Sequence, residues 1–343
     1  MNEHRYVIVG AGAIGGVIGG LVARSGAEAV LVGRGAHGAA LAERGLLLRT
    51  PDGAFGIEVT AAGGPDGVRL GVRDVLVFAT KTHQLDAALH EWADRPVHDG
   101  EQVVGTAGER LPVLTALNGV AAEEMALRFF ARVFGVCVWM PAAHVTPGEV
   151  IVRSWPVAGQ FHIGRWPAAL TTPADQDLLG AIAETWTAAG IRISLPADVA
   201  PWKYNKLLSN LTNSVVALTG SYDGVGSLGD AVVAEGSAAL ERAGITYTST
   251  AEADAARGDH LTMRPVPGTD GVVPNSTWQS LARQTGGVET DYLNGEIVRI
   301  AHRCGGSAPI NAALARLARQ AAREGRAPGE FSAEQLEEML IDG

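Results

Sequence analysis

From Tyr6 to Ala23 the chain reads YVIVGAGAIGGVIGGLVA, 18 residues without a charged or amide side chain, six of them glycine. Such a run can be a membrane span, an export signal, or a soluble strand, turn and helix that holds a phosphate. Its length approaches the roughly 20 residues needed to cross hydrocarbon, and Gly12/Gly16 and Gly15/Gly19 have the spacing of helix-pairing faces. Three glycines between Gly10 and Gly15 argue against a continuous helix, because each costs about 1 kcal/mol relative to alanine there. An export signal needs a basic start and a cleavage site; Glu3 and Arg5 cancel, and no such site is clear.

The third reading uses every glycine. YVIV is a β-branched strand, and Gly10-Ala11-Gly12-Ala13-Ile14-Gly15 follows it as G-x-G-x-x-G, directly before a helix of small residues. Gly10 permits the tight turn, Gly12 admits a pyrophosphate close to backbone, and Gly15 lets helix pack on strand. The free N–H groups of the turn and helix start, Gly10, Gly12, Ala13, Ile14 and Gly15, are the candidate phosphate ligands. A second strand, AVLVG from Ala29, completes a βαβ unit of about 30 residues. Gly16, Gly19 and Gly20 then serve close packing of the helix on the sheet.

The end of that second strand bears on the cofactor. An NAD site places Asp or Glu there for the ribose 2′-hydroxyl; this chain has Gly33 followed by Arg34. A guanidinium suits a 2′-phosphate, so the expectation is NADP(H), with a surface arginine capping a strand end as the bland alternative.

Composition closes off other classes. The chain has 343 residues, enough for about two domains, and a hydrophobic fraction of 47%, that of an ordinary globular protein. A formal charge of −10 argues against nucleic-acid and anionic-membrane partners. Two cysteines, Cys137 and Cys304, form no framework and fit a reducing cytosol, with both thiols expected to pack as small hydrophobes. The nine histidines never form an H-x-x-x-H pair, and no metal is expected.

Further strands are expected at GIEVTAA (56–62), DVLVFAT (74–80), PVLTAL (112–117) and ARVFGVCVWM (131–140), with helices at 84–94 and 122–129. The alternation predicts an open, mostly parallel α/β sheet of Rossmann type. Ligands then sit beyond the strand ends, where Lys81 and Asn118 occur. Lys81 reads as an anion ligand or a solvated lysine, and Asn118-Gly119 as a ligand or as turn chemistry. EVIVRSW and GQFHIGRW read as antiparallel strands added to the sheet, and IRISLP as its last strand. The boundary is set so that 1–197 bind NADP(H) and 198–343 form an all-α domain.

In that second half, Trp202, Lys206, Asn210 and Asn213 recur at helical spacing through WKYNKLLSNLTNSVVAL, with leucines and valines filling the rest. Polar groups among aliphatic ones need a cavity or partners. PNSTWQSLARQTGGVETDYLNGEIV follows, where Asn275 or Ser276 reads as one helix cap and Thr290 as another. Ser332 to Gln335 makes a capping box.

Taken together, the chain resembles the ketopantoate reductase (2-dehydropantoate 2-reductase) family. The likeness rests on GAGAIG at the start, TKTHQ at 80–84, LNG at 117–119, W-x-x-x-K-L-L-x-N at 202–210, STWQS at 276–280 and ETDYLNGEI at 289–297. The resemblance implies a Rossmann domain, a helical domain, an active site in the cleft between them, and NADPH-dependent reduction of a 2-oxo acid to a 2-hydroxy acid. It assigns Lys206 as the general acid and Asn210 and Ser276 to substrate; Glu289 is the candidate that orients the lysine, and Asn213 and Asn118 are further substrate candidates. Lys81 and Asn118 line the cofactor side. Lys203 is a competing lysine off that helical line. A homodimer in the cytoplasm is also implied.

Two departures bear on the substrate. The family's second asparagine, eight residues after the lysine, is Ser214 here, with Asn213 one place earlier; and Thr277-Trp278 stands where Met is usual. Ketopantoate leads, ahead of another branched or hydroxylated 2-oxo acid. An opine-type or 3-hydroxy-acid dehydrogenase and a non-catalytic NADP(H) sensor are the alternatives.

Overall fold

The β-branched run Arg5–Val9 is strand β1, and it lies inside an eight-stranded sheet. The computed structural model describes residues 4–144, 146–223, 225–269, 275–284 and 286–342. In chain order its strands are β1, β2 (Ala29–Val32), β3 (Leu46–Thr50), β4 (Gly53–Ile57), β5 (Thr60–Ala62), β6 (Leu70–Gly71), β7 (Asp74–Phe78) and β8 (Pro96–Asp99). There follow β9 (Gln102–Thr106), β10 (Pro112–Thr115), β11 (Arg132–Trp139), β12 (Ala142–Ala143), β13 (Glu149–Val152), β14 (Gly159–Trp166) and β15 (Ile191–Ser194). The helices of the first half are α1 (Ala13–Arg24), α2 (Gly35–Arg44), α3 (Thr82–Ala93), α4 (Ala107–Arg110), α5 (Ala121–Ala126) and α6 (Pro173–Ala188). Those after it are α7 (Ala200–Asn210), α8 (Asn213–Thr219), α9 (Gly226–Arg242), α10 (Thr250–Arg257), α11 (Ser276–Ala282), α12 (Asn294–Arg303), α13 (Pro309–Arg323) and α14 (Ala333–Glu337).

The chain forms two compact units. The first holds the described residues up to Leu117, Ala122–Trp202 and 251–269; the second holds Asn118–Ala121, Lys203–Thr250 and those from 275 on.

In the first unit the main sheet runs β15-β14-β11-β10-β7-β1-β2-β5. β1, β2, β5, β7, β10 and β11 are mutually parallel, and β14 is antiparallel to β11. Alternation along β1 sends Tyr6 and Ile8 to one face, against Ile18 and Leu21 of α1 and Trp186 of α6. Val7 and Val9 go to the other, against Leu85, Leu89 and Trp92 of α3. Both faces are therefore covered by helices, which is why the central strands read as continuous apolar runs. From β1 the chain winds outward through β2, then returns to start again at β7 on the other side, so a switch point lies between β1 and β7.

Two strand expectations need correction. GIEVTAA is split: β4 ends at Ile57 and pairs with β3 in a second sheet, whereas β5 joins the main one. EVIVRSW does not extend the main sheet; β13 pairs in parallel with β3 and antiparallel with β12. Period-two alternation locates a strand but not its partner. GQFHIGRW and IRISLP do join the main sheet, as β14 and β15.

α1 lies as close to the sheet layers as its glycines require. A Cβ on Gly16 would meet Val150 at 2.7 Å, on Gly19 Leu31 at 2.8 Å, and on Gly20 Leu46 at 2.5 Å. No helix among the described residues is long and apolar enough to cross a membrane. Cys137 is buried, but Cys304 is exposed, so only one of the two thiols packs as a hydrophobe.

The second unit is helical around one core that includes Leu207, Leu211 and Val215 with Leu240, Ile297, Leu314 and Ala318. The run 202–218 is not one helix: α7 stops at Asn210 and α8 starts at Asn213. The break is satisfied from outside, because the Asn294 side-chain amide donates to Leu211 O at 3.0 Å. A packed partner thereby overrides a helical pattern that the sequence carries without interruption.

Candidate active site

The phosphate-type turn sits at the switch point. Gly10 has φ +100°, and a Cβ there would stand 2.8 Å from Thr80 N, so the turn presses on the backbone that leaves β7. A Cβ on Gly15 would fall 2.1 Å from Gly10 O. Gly12 differs, since nothing lies within 4 Å of its Cβ position. Gly10 and Gly15 are thus demanded by the fold, and Gly12 keeps open the space above the turn. Gly12 is the N-cap of α1 with no side-chain cap, and the first turn holds no acidic residue. The amides from Gly12 to Gly15 and the positive helix end therefore face that space unneutralised. Thr80 Oγ1, at the same place, is buried without a hydrogen-bond partner. These features fit a dinucleotide pyrophosphate.

Lys81 caps α3 and is half-buried one residue past Thr80. Arg34 caps α2 in the extended conformation and is exposed, ion-paired with Glu91 of α3. No carboxylate belongs to the β2 end itself, Val32-Gly33-Arg34. Thr80 opens the TKTHQ motif, but its place against the turn, like that of Glu91 beside Arg34, follows only from the pairing of β7 with β1 and the ion pair to α3.

In the second unit, Lys206 and Asn210 are one turn apart on α7. Lys206 is half-buried, while Asn210 is only 4% exposed and its Nδ2 has no hydrogen-bond partner. The competing Lys203 is 2% exposed, packed into the fold. Asn213 does not continue the α7 face; it opens α8. There it meets the second motif: Asn275 accepts from the Thr277 and Trp278 amides at 3.0 Å as the α11 cap, and its Nδ2 donates to Asn213 O at 3.4 Å. Ser276, the first residue of α11, is thereby held beside Asn213. Trp202, expected on the polar face, belongs to the first unit, where it stacks on His162 with ring centroids 3.9 Å apart.

Glu289 is 6% exposed and precedes a short 3-10 turn, Thr290–Tyr292. Thr290 is not the helix cap expected of it; its hydroxyl lies 3.0 Å from Ser214 Oγ. Ser214 donates to Asn294 Oδ1 at 2.8 Å, Asn294 to Asn311 Oδ1 at 2.9 Å, and Asn311 to Glu235 at 2.8 Å. Glu235 also accepts the Ile310 and Asn311 amides at the start of α13. This buried chain fixes the residue after Glu289 and the start of α8 together. Asn118-Gly119 joins the same region: Gly119 has φ +80°, and a Cβ there would stand 2.7 Å from Tyr292 O. The structure thus gathers Asn213 with Ser276, and Asn118 with the turn after Glu289. Asn294 lies within the ETDYLNGEI motif and Asn311 in none, and their buried role is not visible in sequence because an asparagine in an amphipathic helix looks like surface.

Comparison with known proteins matches this arrangement. A family model described as Ketopantoate reductase PanE/ApbA matches residues 6–168, and one described as Ketopantoate reductase PanE/ApbA C terminal matches residues 198–322. A 2-dehydropantoate 2-reductase of Pyrococcus abyssi is 27% identical over 324 residues, covering 90% of this chain and 95% of the relative. One of Pyrococcus horikoshii is 27% identical over 206 residues, and the match spans 60% of each chain. Among solved structures, a PanE/ApbA family ketopantoate reductase from Ralstonia eutropha JMP134 has a TM-score of 0.73 at 24% identity, over 94% of this chain and 99% of that one. A D-mandelate dehydrogenase solved with NADH and anilino(oxo)acetate has a TM-score of 0.75 at 20% identity, with the same coverage. At such identities the structural likeness establishes the fold. Both family models name one family and follow one another along the chain, which belongs to the ketopantoate reductase family.

Proposed function

We propose that this protein reduces a 2-oxo acid to the 2-hydroxy acid with NADPH, ketopantoate being the leading substrate. The observation that carries the reading is Asn210. An amide that is 4% exposed with its Nδ2 unpartnered costs about 1–3 kcal/mol, which a ligand oxygen on the Lys206 face of α7 would recover. A nicotinamide cofactor supplies hydride to the carbonyl carbon. Charge then develops on the carbonyl oxygen and calls for a positioned acid. Lys206 takes that role, Glu289 orients it, and Asn210 and Asn213 donate to substrate oxygens. The Ser276 hydroxyl holds the carboxylate, and Asn118 completes the substrate and cofactor contacts. The amides of Gly12, Ala13, Ile14 and Gly15 hold the pyrophosphate, Gly10, whose own amide donates to Val32 O, shapes the turn beneath it, Lys81 lies beside them and Arg34 meets the 2′-phosphate.

Substrate identity is the open variable. Ser214 is committed to Thr290 and Asn294, so it does not replace the asparagine usual there. Trp278 packs on the core of the second unit. The test is NADPH oxidation against a panel of aliphatic and aromatic 2-oxo acids that includes 2-dehydropantoate. Turnover with at least one member is expected. Cofactor binding with no turnover on any of them would favour a sensor and overturn the proposal.

A further inference from the structure

The carbonyl of Ala11, inside the glycine-rich turn, accepts a hydrogen bond from an imidazole. His37 Nε2 lies 2.7 Å from Ala11 O, and His37 Nδ1 accepts the Gly148 N–H at 2.9 Å. An Nδ1 that accepts carries no proton, so the proton is on Nε2, and it points at Ala11 O. One neutral tautomer satisfies both bonds.

The consequence lies in the next peptide group. Ala11 C=O and Gly12 N–H belong to the same planar trans unit and point in opposite directions. Fixing the carbonyl therefore fixes the amide. The other side of Ala11 is already tied, since the Gly10 and Ala11 amides both donate to Val32 O, at 3.1 and 3.0 Å. The Gly12 N–H donates to no acceptor among the described residues. The Cβ position of Gly12 is also open, with nothing within 4 Å.

Resting on the dinucleotide-binding reading above, we infer that His37 is a positioning residue for the cofactor: it aims the Gly12 amide at the pyrophosphate, and the Gly148 N–H on Nδ1 holds the ring in that position as the neutral imidazole. Burial holds His37 below its ordinary value, which favours that form near neutrality. The ionisable groups around it are His144, its ring tilted at 52° with centroids 4.1 Å apart; Glu149, next to Gly148 and paired with Arg49 at 2.7 Å; Arg44, near Gly148; and Arg34, capping the same helix. Protonation at Nδ1 would remove the acceptor for Gly148 and set a cation beside His144.

The test is the dissociation constant for NADP+, from quenching of tryptophan fluorescence, between pH 8 and pH 5. It compares wild type, His37→Ala and His37→Gln, whose amide offers a donor and an acceptor without titrating. Melting temperatures are recorded alongside. The expected result is binding at least about tenfold weaker in His37→Ala, within about threefold of wild type in His37→Gln, and an acid-side loss smaller in His37→Gln than in wild type. Titration of the ligand phosphates is common to all three and cancels in the comparison. Wild-type affinity in a folded His37→Ala, or pH profiles of wild type and His37→Gln that superimpose, would overturn the inference. Wild type that binds neither NADP+ nor NAD+ would overturn the dinucleotide reading and this inference with it.

Discussion

The guanidinium of Arg34 is ion-paired with the carboxylate of Glu91, α2 to α3, at the edge where a ribose 2′-phosphate is proposed to bind. Binding would exchange one anion for another. Arg34→Ala should therefore lower the preference for NADP+ over NAD+ by about ten- to a hundredfold, the worth of one charge-assisted contact. Glu91→Gln should tighten NADP+ several-fold at low ionic strength and lose that gain in high salt. Paired titrations with both dinucleotides decide it; an unchanged preference in Arg34→Ala removes this arginine from the cofactor site.

The glycines of the turn should separate folding from binding. Gly12 has φ −70° and a clear Cβ position, so Gly12→Ala should fold with an unchanged melting temperature and yet bind dinucleotide at least tenfold more weakly. Gly15→Ala must displace the Gly10 carbonyl and should lose about 2 kcal/mol or more of stability. Calorimetry and cofactor titration on both variants give the comparison; a destabilised Gly12→Ala would contradict it.

The turn was legible because Gly10 and Gly15 answer local steric demands, and Gly12 the need for open space, all of which spacing alone expresses. The parallel core was legible because buried strands such as β1 and β7 are continuously apolar. Pairing was not: Ile57 and Thr60 enter different sheets although one β-propensity run covers both. The second unit shows the same limit. Lys206 and Asn210 stood out as polar groups on an aliphatic helix, but the interruption before Asn213 depends on Asn294, more than eighty residues away. Long-range polar satisfaction leaves no periodic trace.

That chain of buried amides should matter for stability. Asn294→Ala leaves Leu211 O, Asn311 Oδ1 and Ser214 Oγ each short of a partner. A loss of about 3 kcal/mol in urea unfolding is expected, because buried groups orphaned together each cost about 1–3 kcal/mol. A loss under about 1 kcal/mol would show that α8 and the turn after Glu289 are held by apolar packing instead.

His162 provides the pH-dependent counterpart. It is 2% exposed, stacked on Trp202, and burial pushes it down from 6.5 to about 4. The unfolded chain therefore binds this proton more readily than the folded one. The stability that the neutral ring preserves is fully present above pH 6.5 and is lost as pH falls towards about 4, by about 3 kcal/mol in all. His162→Phe keeps a ring against Trp202 and removes the titration. Urea unfolding across that range should show a shallower acid-side decline in the variant; parallel declines would refute the assignment.

Lys206 carries the central claim, and Lys206→Ala tests it most directly. The measurement is the rate of NADPH-dependent reduction of the best 2-oxo acid, with the NADP+ dissociation constant taken on the same preparations. The account predicts a rate lower by about 10²–10⁴, the contribution of a positioned acid, with the dissociation constant unchanged within about twofold. A variant that binds cofactor normally and reduces the substrate at the wild-type rate would contradict it.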